Sequence, residues 1–125
     1  MKIVNGRQSI AAALCTLLLA TGASAPTPGD AQVVTKVLEF EPETLTILAG
    51  TKVTWTVSDR IAHTVTTGTF TLGGNGLRTS QNPDGRIDLP LTKAHEVSYT
   101  FSTPGTYSYY CTLHQGMTGH IIVTP

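Results

Sequence analysis

The chain has 125 residues, with 8 Lys+Arg against 8 Asp+Glu and only 13% charged residues. That is one domain's worth of chain, which excludes a multidomain enzyme, and the absent basic excess argues against nucleic-acid binding. Thr is the most frequent residue and stands beside 12 Gly and 7 Pro, a composition of strands and turns.

Lys2 and Arg7 give a positive start, and the apolar stretch Ile10–Ala20 follows. Small residues Thr21–Ala25 come next, completing the layout of a secretory signal peptide. The apolar stretch is too short to span a bilayer. Residues 1–25 are therefore expected to be a cleavable signal, cut somewhere between 23 and 31, and residues 26–32 a short linker. The product, residues 33–125, is expected in the periplasm or outside the cell, with no transmembrane segment. Cys15 leaves with the signal, so Cys111 becomes the one thiol of the exported chain. A lone thiol in an oxidising compartment should oxidise, pair with another chain or be occupied by something.

After the linker, Val33–Phe40 is β-rich and Glu41-Pro42-Glu43 interrupts it. Leu45 and Ile47 alternate with Thr, and Val53, Trp55 and Val57 alternate with polar residues at a period of two. His63–Thr67 reads as another strand. Residues 68–94 carry many breakers (Gly73-Gly74-Asn75-Gly76, then Asn82-Pro83-Asp84-Gly85) and read as loops with short strands. Val97, Tyr99 and Phe101 alternate, Pro104-Gly105 turns the chain, and Tyr107–Cys111 and Gly119–Val123 close it. Seven or eight short strands without a helical period predict an all-β antiparallel Greek-key sandwich.

Cys111, His114 and Met117 place a thiol, an imidazole and a thioether at intervals of three, starting at a predicted strand end. Such spacing in a tight loop lets the three donors converge. Thiolate and thioether are soft ligands, and with imidazole they favour copper; a Cys/His₂ plane with a weak axial Met is the blue-copper arrangement. The second imidazole must come from elsewhere, and His63 fits, lying just after the Val53–Val57 strand. His95 and His120 are expected to be solvated, and Trp55, Tyr107 and Tyr109 to be packing residues.

These residues resemble a small cupredoxin of the plastocyanin, amicyanin and pseudoazurin group. The likeness runs through Phe40-x-Pro42, Gly50-Thr-Lys-Val53-Thr-Trp55, Asp59-x-x-x-His63-Thr-Val65, Phe101-x-x-Pro104-Gly105-Thr-Tyr107 and Cys111-x-x-His114-x-x-Met117-x-Gly119. The short His-x-x-Met interval is more like amicyanin than plastocyanin. The chain departs from the pattern at Ala62 and Leu113, where Pro is frequent before each His. The resemblance implies one type 1 copper held by His63, Cys111, His114 and Met117. It also implies a monomeric one-electron carrier, not an enzyme, that docks transiently with redox partner proteins near His114. A copper-delivery protein without a redox role is the alternative. Thr64 and Thr112 are expected to hydrogen-bond across the two ligand loops.

Overall fold

The computed structural model describes residues 25–125; the signal-peptide expectation for residues 1–25 lies almost wholly outside them. Nine strands follow in order: β1 (Asp30–Lys36), β2 (Glu39–Glu41), β3 (Thr44–Leu48), β4 (Thr51–Val57), β5 (His63–Leu72), β6 (Arg78–Leu91), β7 (Val97–Phe101), β8 (Gly105–Tyr110) and β9 (Thr118–Thr124). They form two sheets, ordered β2-β1-β4-β7 and β3-β9-β8-β5-β6.

The core lies between the sheets and draws on both. Val33, Phe40, Val53, Trp55, Val97 and Phe101 come from one sheet, and Ile47, Val65, Leu91, Tyr109, Ile121 and Val123 from the other. Period-two burial along β4 (Thr51, Val53 and Trp55 buried) is the pattern of a sheet packed on one face. Trp55 sits at the middle, with edge-on contacts to Phe101 and Tyr109 at centroid distances of 6.3 and 5.4 Å.

Four features differ from the sequence expectation. The pairing is mixed rather than antiparallel throughout: β1 runs parallel to β4 and β3 parallel to β9. The Val33–Phe40 run is two strands, because the chain turns at Val37 (φ 56°), where Asp59 Oδ2 accepts the Val37 N–H at 2.8 Å. Strand pairing also starts before Val33, with Asp30, Ala31 and Gln32 already opposite Lys52, Val53 and Thr54.

The fourth difference is the largest. Residues 68–94, expected to be mostly loop, carry the end of β5 and the whole of β6, a long hairpin closed by the Gly73–Leu77 turn. β6 is an edge strand, so Pro83 and Pro90 need donate nothing inward. A register break lets residues 84–87 bulge out opposite Thr67. Thr67 Oγ1 anchors the bulge, donating to Asp84 Oδ1 at 2.6 Å and accepting from the Ile87 N–H at 2.9 Å.

Burial raises the Asp84 carboxyl pKa, but the Thr67 hydroxyl, the Arg86 N–H and the Arg86 charge outweigh it and hold the group below 3.8. A depressed folded-state pKa contributes stability above the unfolded value that is lost as pH falls through the folded one. Asp84→Asn is expected to be less stable than wild type at pH 7, by under about 1 kcal/mol because solvent screens the site. Thermal unfolding curves of the two should converge below pH 3.8; a constant gap at all pH values would refute the charge effect.

Candidate metal centre

Three neighbouring strands meet at one end of the larger sheet. β8 lies between β9 and β5 and is antiparallel to both, so the end of β8 adjoins the starts of β5 and β9. His63 is the first residue of β5, Cys111 follows β8 directly, and Met117 immediately precedes β9. Residues distant in sequence therefore converge because of strand order alone.

The connection from β8 to β9 is tight. Cys111 N–H donates to the Met117 carbonyl at 3.1 Å, and Met117 N–H donates to the His114 carbonyl at 3.2 Å. The ligand atoms of His63, Cys111 and His114 lie within 4.8 Å of one another. Cys111 Sγ is 3.5 Å from His114 Nδ1, and the two imidazole centroids are 5.1 Å apart. Cys111 and Met117 are fully buried and His114 is half-buried.

His63 supplies the test of whether a metal fits. It is 1% exposed, yet neither ring nitrogen has a hydrogen-bond partner among the described residues. Nε2 lies 3.7 Å from Asp59 Oδ1, beyond hydrogen-bond range. Buried polar atoms are ordinarily satisfied, so an orphan imidazole facing a thiol and a second imidazole asks for a cation. Burial lowers the His63 pKa, and the His114 charge acts in the same direction against the opposing Asp59 carboxylate. The neutral ring that results is the ligating form.

The surroundings hold these donors in place. Thr64 N–H points at Cys111 Sγ from 3.4 Å, a contact the sequence did not reveal. Thr64 Oγ1 accepts the Thr112 N–H at 2.8 Å and lies 3.1 Å from Thr112 Oγ1, joining the two loops as expected. Asp59 accepts N–H groups from Val37 and Ile61, tying the β1–β2 turn to the segment before His63. Arg78, also unforeseen, reaches the β8–β9 loop from the start of β6.

The other candidates lie elsewhere. His120 faces away from Ile121, 3.1 Å from Ser108 Oγ and against the Phe70 ring at 5.7 Å, so it is packed rather than freely solvated. His95 is exposed in a turn before β7. Tyr109 and Trp55 are core residues, while Tyr107 is partly buried with its hydroxyl donating to the Thr103 carbonyl at 2.6 Å.

Residues 29–124 match the family described as copper binding proteins, plastocyanin/azurin family. The chain belongs to that family. It is 29% identical to amicyanin-alpha of Methylorubrum extorquens, across 98% of this chain and 99% of the relative. It is 33% identical to the amicyanin of Paracoccus versutus, across 81% of this chain and 70% of the relative. Among solved structures, a reduced amicyanin mutant superposes with a TM-score of 0.56 at 28% identity, covering 74% of this chain and 80% of that one. A purple cupredoxin from Nitrosopumilus maritimus gives 0.53 at 27% identity, covering 75% and 99%.

Copper is thus the cofactor of this cupredoxin, and the fold expectation holds in its essentials: an all-β sandwich of cupredoxin type. Members of the family are electron carriers rather than enzymes.

Proposed function

We propose that this cupredoxin is an exported one-electron carrier whose copper would be held by His63, Cys111, His114 and Met117. The observation that carries the reading is the buried His63 imidazole, unpartnered within 4.8 Å of a buried thiol and a second imidazole. A soft sulfur with two nitrogens suits copper, which supplies one-electron chemistry by cycling between Cu(I) and Cu(II). The protein's part is to keep the donors still. The strand ends fix three of them, the Thr64–Thr112 link fixes the distance between loops, and burial excludes water.

Partners are proposed to dock at the end where His114 reaches the surface. Leu113 is 59% exposed beside it, Leu77 (41%) packs near Gly116, and Ile61 (37%) lies on the loop before His63. An apolar collar of this kind suits brief association, since few charges must be desolvated. Export is supported by the Lys2–Ala25 pattern, and a monomer by a core that closes without a second chain. Among the described residues no helix is long and apolar enough to cross a membrane.

The test is to add Cu(II) to residues 26–125 and record the visible spectrum, then to reduce and reoxidise the protein. Intense blue or purple absorption that bleaches and returns through repeated cycles is expected. A colourless complex would defeat the thiolate-ligand assignment, and a coloured one that cannot be cycled would favour the delivery role.

A further inference from the structure

Arg78 opens β6 and is only 6% exposed, yet no carboxylate pairs with it among the described residues. Its side chain is spent on the β8–β9 loop instead. Nη2 donates to the Cys111 carbonyl at 2.6 Å. Nη1 is shared among the carbonyls of His114 (3.1 Å), Gln115 (3.2 Å) and Met117 (3.1 Å). Nε donates to Gln81 Oε1 at 3.3 Å, and Cζ stands 4.8 Å from the Tyr110 ring centroid. The Arg78 N–H also donates to the Gln115 carbonyl at 3.1 Å. One guanidinium thus grips the main chain of every proposed ligand on that loop.

A buried cation without a counter-ion is expensive, and a guanidinium stays charged even so. Carbonyl dipoles repay part of the cost. The rest makes sense if the charge acts on something nearby, and the Cys111 side of the loop is what it faces.

We propose that Arg78 is a positioning residue of the copper centre, fixing the Cys111–Met117 loop through its carbonyls and raising the reduction potential through its uncompensated charge. The oxidised centre carries one more positive charge than the reduced one, so a fixed cation disfavours it. The inference rests on the copper ligation proposed above.

Two substitutions separate the effects. Arg78→Gln keeps a donor and removes the charge; Arg78→Lys keeps the charge and removes the planar fork. The copper-loaded proteins are titrated spectroelectrochemically, their oxidised spectra compared, and the copper-free forms melted. Arg78→Gln is expected to shift the Cu(II)/Cu(I) affinity ratio at least tenfold toward Cu(II), a fall of about 59 mV for a one-electron couple. Arg78→Lys should shift the ratio less than tenfold while moving or splitting the thiolate charge-transfer band. A shift under tenfold in Arg78→Gln, or one in Arg78→Lys of tenfold or more, overturns the charge effect; an unchanged Arg78→Lys band overturns the positioning. If Arg78→Gln fails to fold, Arg78→Met is read against the same tenfold limit for the charge effect, and the Arg78→Lys band decides the positioning. Failure of the ligation itself is seen earlier and separately, as wild type without the band.

Discussion

Cys111→Ser is expected to abolish the intense visible absorption of the copper-loaded protein while leaving the fold in place. The colour needs electron density moving from a thiolate to the metal, and among the described residues Cys111 is the only thiol. Serine is almost the same size, but its hydroxyl stays protonated at neutral pH and is a hard donor where the other ligands suit a soft metal. Cu(II) affinity should fall by at least about 100-fold, at or beyond the upper end of what removing an outer partner of a metal ligand costs. The copper-free variant should lose only about 1–3 kcal/mol, because a buried hydroxyl replaces a weakly polar sulfur. That residual cost is limited by Thr64 N–H, already directed at this position from 3.4 Å and able to donate to oxygen. An intense blue band surviving the substitution would mean that the sulfur is not a ligand. Loss of colour with a collapsed melting transition would instead make Cys111 a core residue first.

The Cys111, His114 and Met117 cluster was legible in the sequence because its members share one short loop, where spacing alone limits how far apart they fall. His63 was harder, and only its place just after one strand and beside a strand end, together with the resemblance to the cupredoxin pattern, made it a candidate. The structure supplies the missing reason, the antiparallel order β9-β8-β5. β6 was missed for a physical cause: Pro83, Gly85 and Pro90 break interior strands but are tolerated on an edge strand with a bulge. Arg78 could not be seen at all. It stands after Gly73-Gly74-Asn75-Gly76, in a stretch that reads as solvated loop, and nothing local marks an arginine that hydrogen-bonds to carbonyls more than thirty positions away. The parallel pairs were equally hidden, since alternation reports which face a residue occupies and not the direction of its neighbour.

Gly119→Ala is expected to destabilise the protein by about 2 kcal/mol, the net of two opposing terms. Alanine restricts the unfolded chain and on that account alone would stabilise by about 0.4–1 kcal/mol. Against it stands a collision: a Cβ on Gly119 would lie 2.3 Å from Tyr109 Cζ, 2.5 Å from Oη and 2.7 Å from Cε1. Tyr109 pairs directly with Gly119 across β8 and β9, and its ring cannot easily leave. It is fully buried between Phe40 at 4.8 Å and Trp55 at 5.4 Å, both in edge-on contact. Overpacking of this kind costs about 1–3 kcal/mol, and a melting point lower by about 8–16 °C would report the net loss. The collision is with one ring, so the cost should vanish when Tyr109→Leu is already present. Equal costs in the two backgrounds would place the strain elsewhere. How the protein relieves the clash reaches the metal centre as well, because Cys111 lies two residues beyond Tyr109 and Met117 two before Gly119. If β9 shifts, Met117 moves relative to Cys111 and the charge-transfer band should move with it. A lower melting point with an unchanged band would instead mean that the Tyr109 ring yields into the core and the strand ends holding the proposed ligands stay fixed.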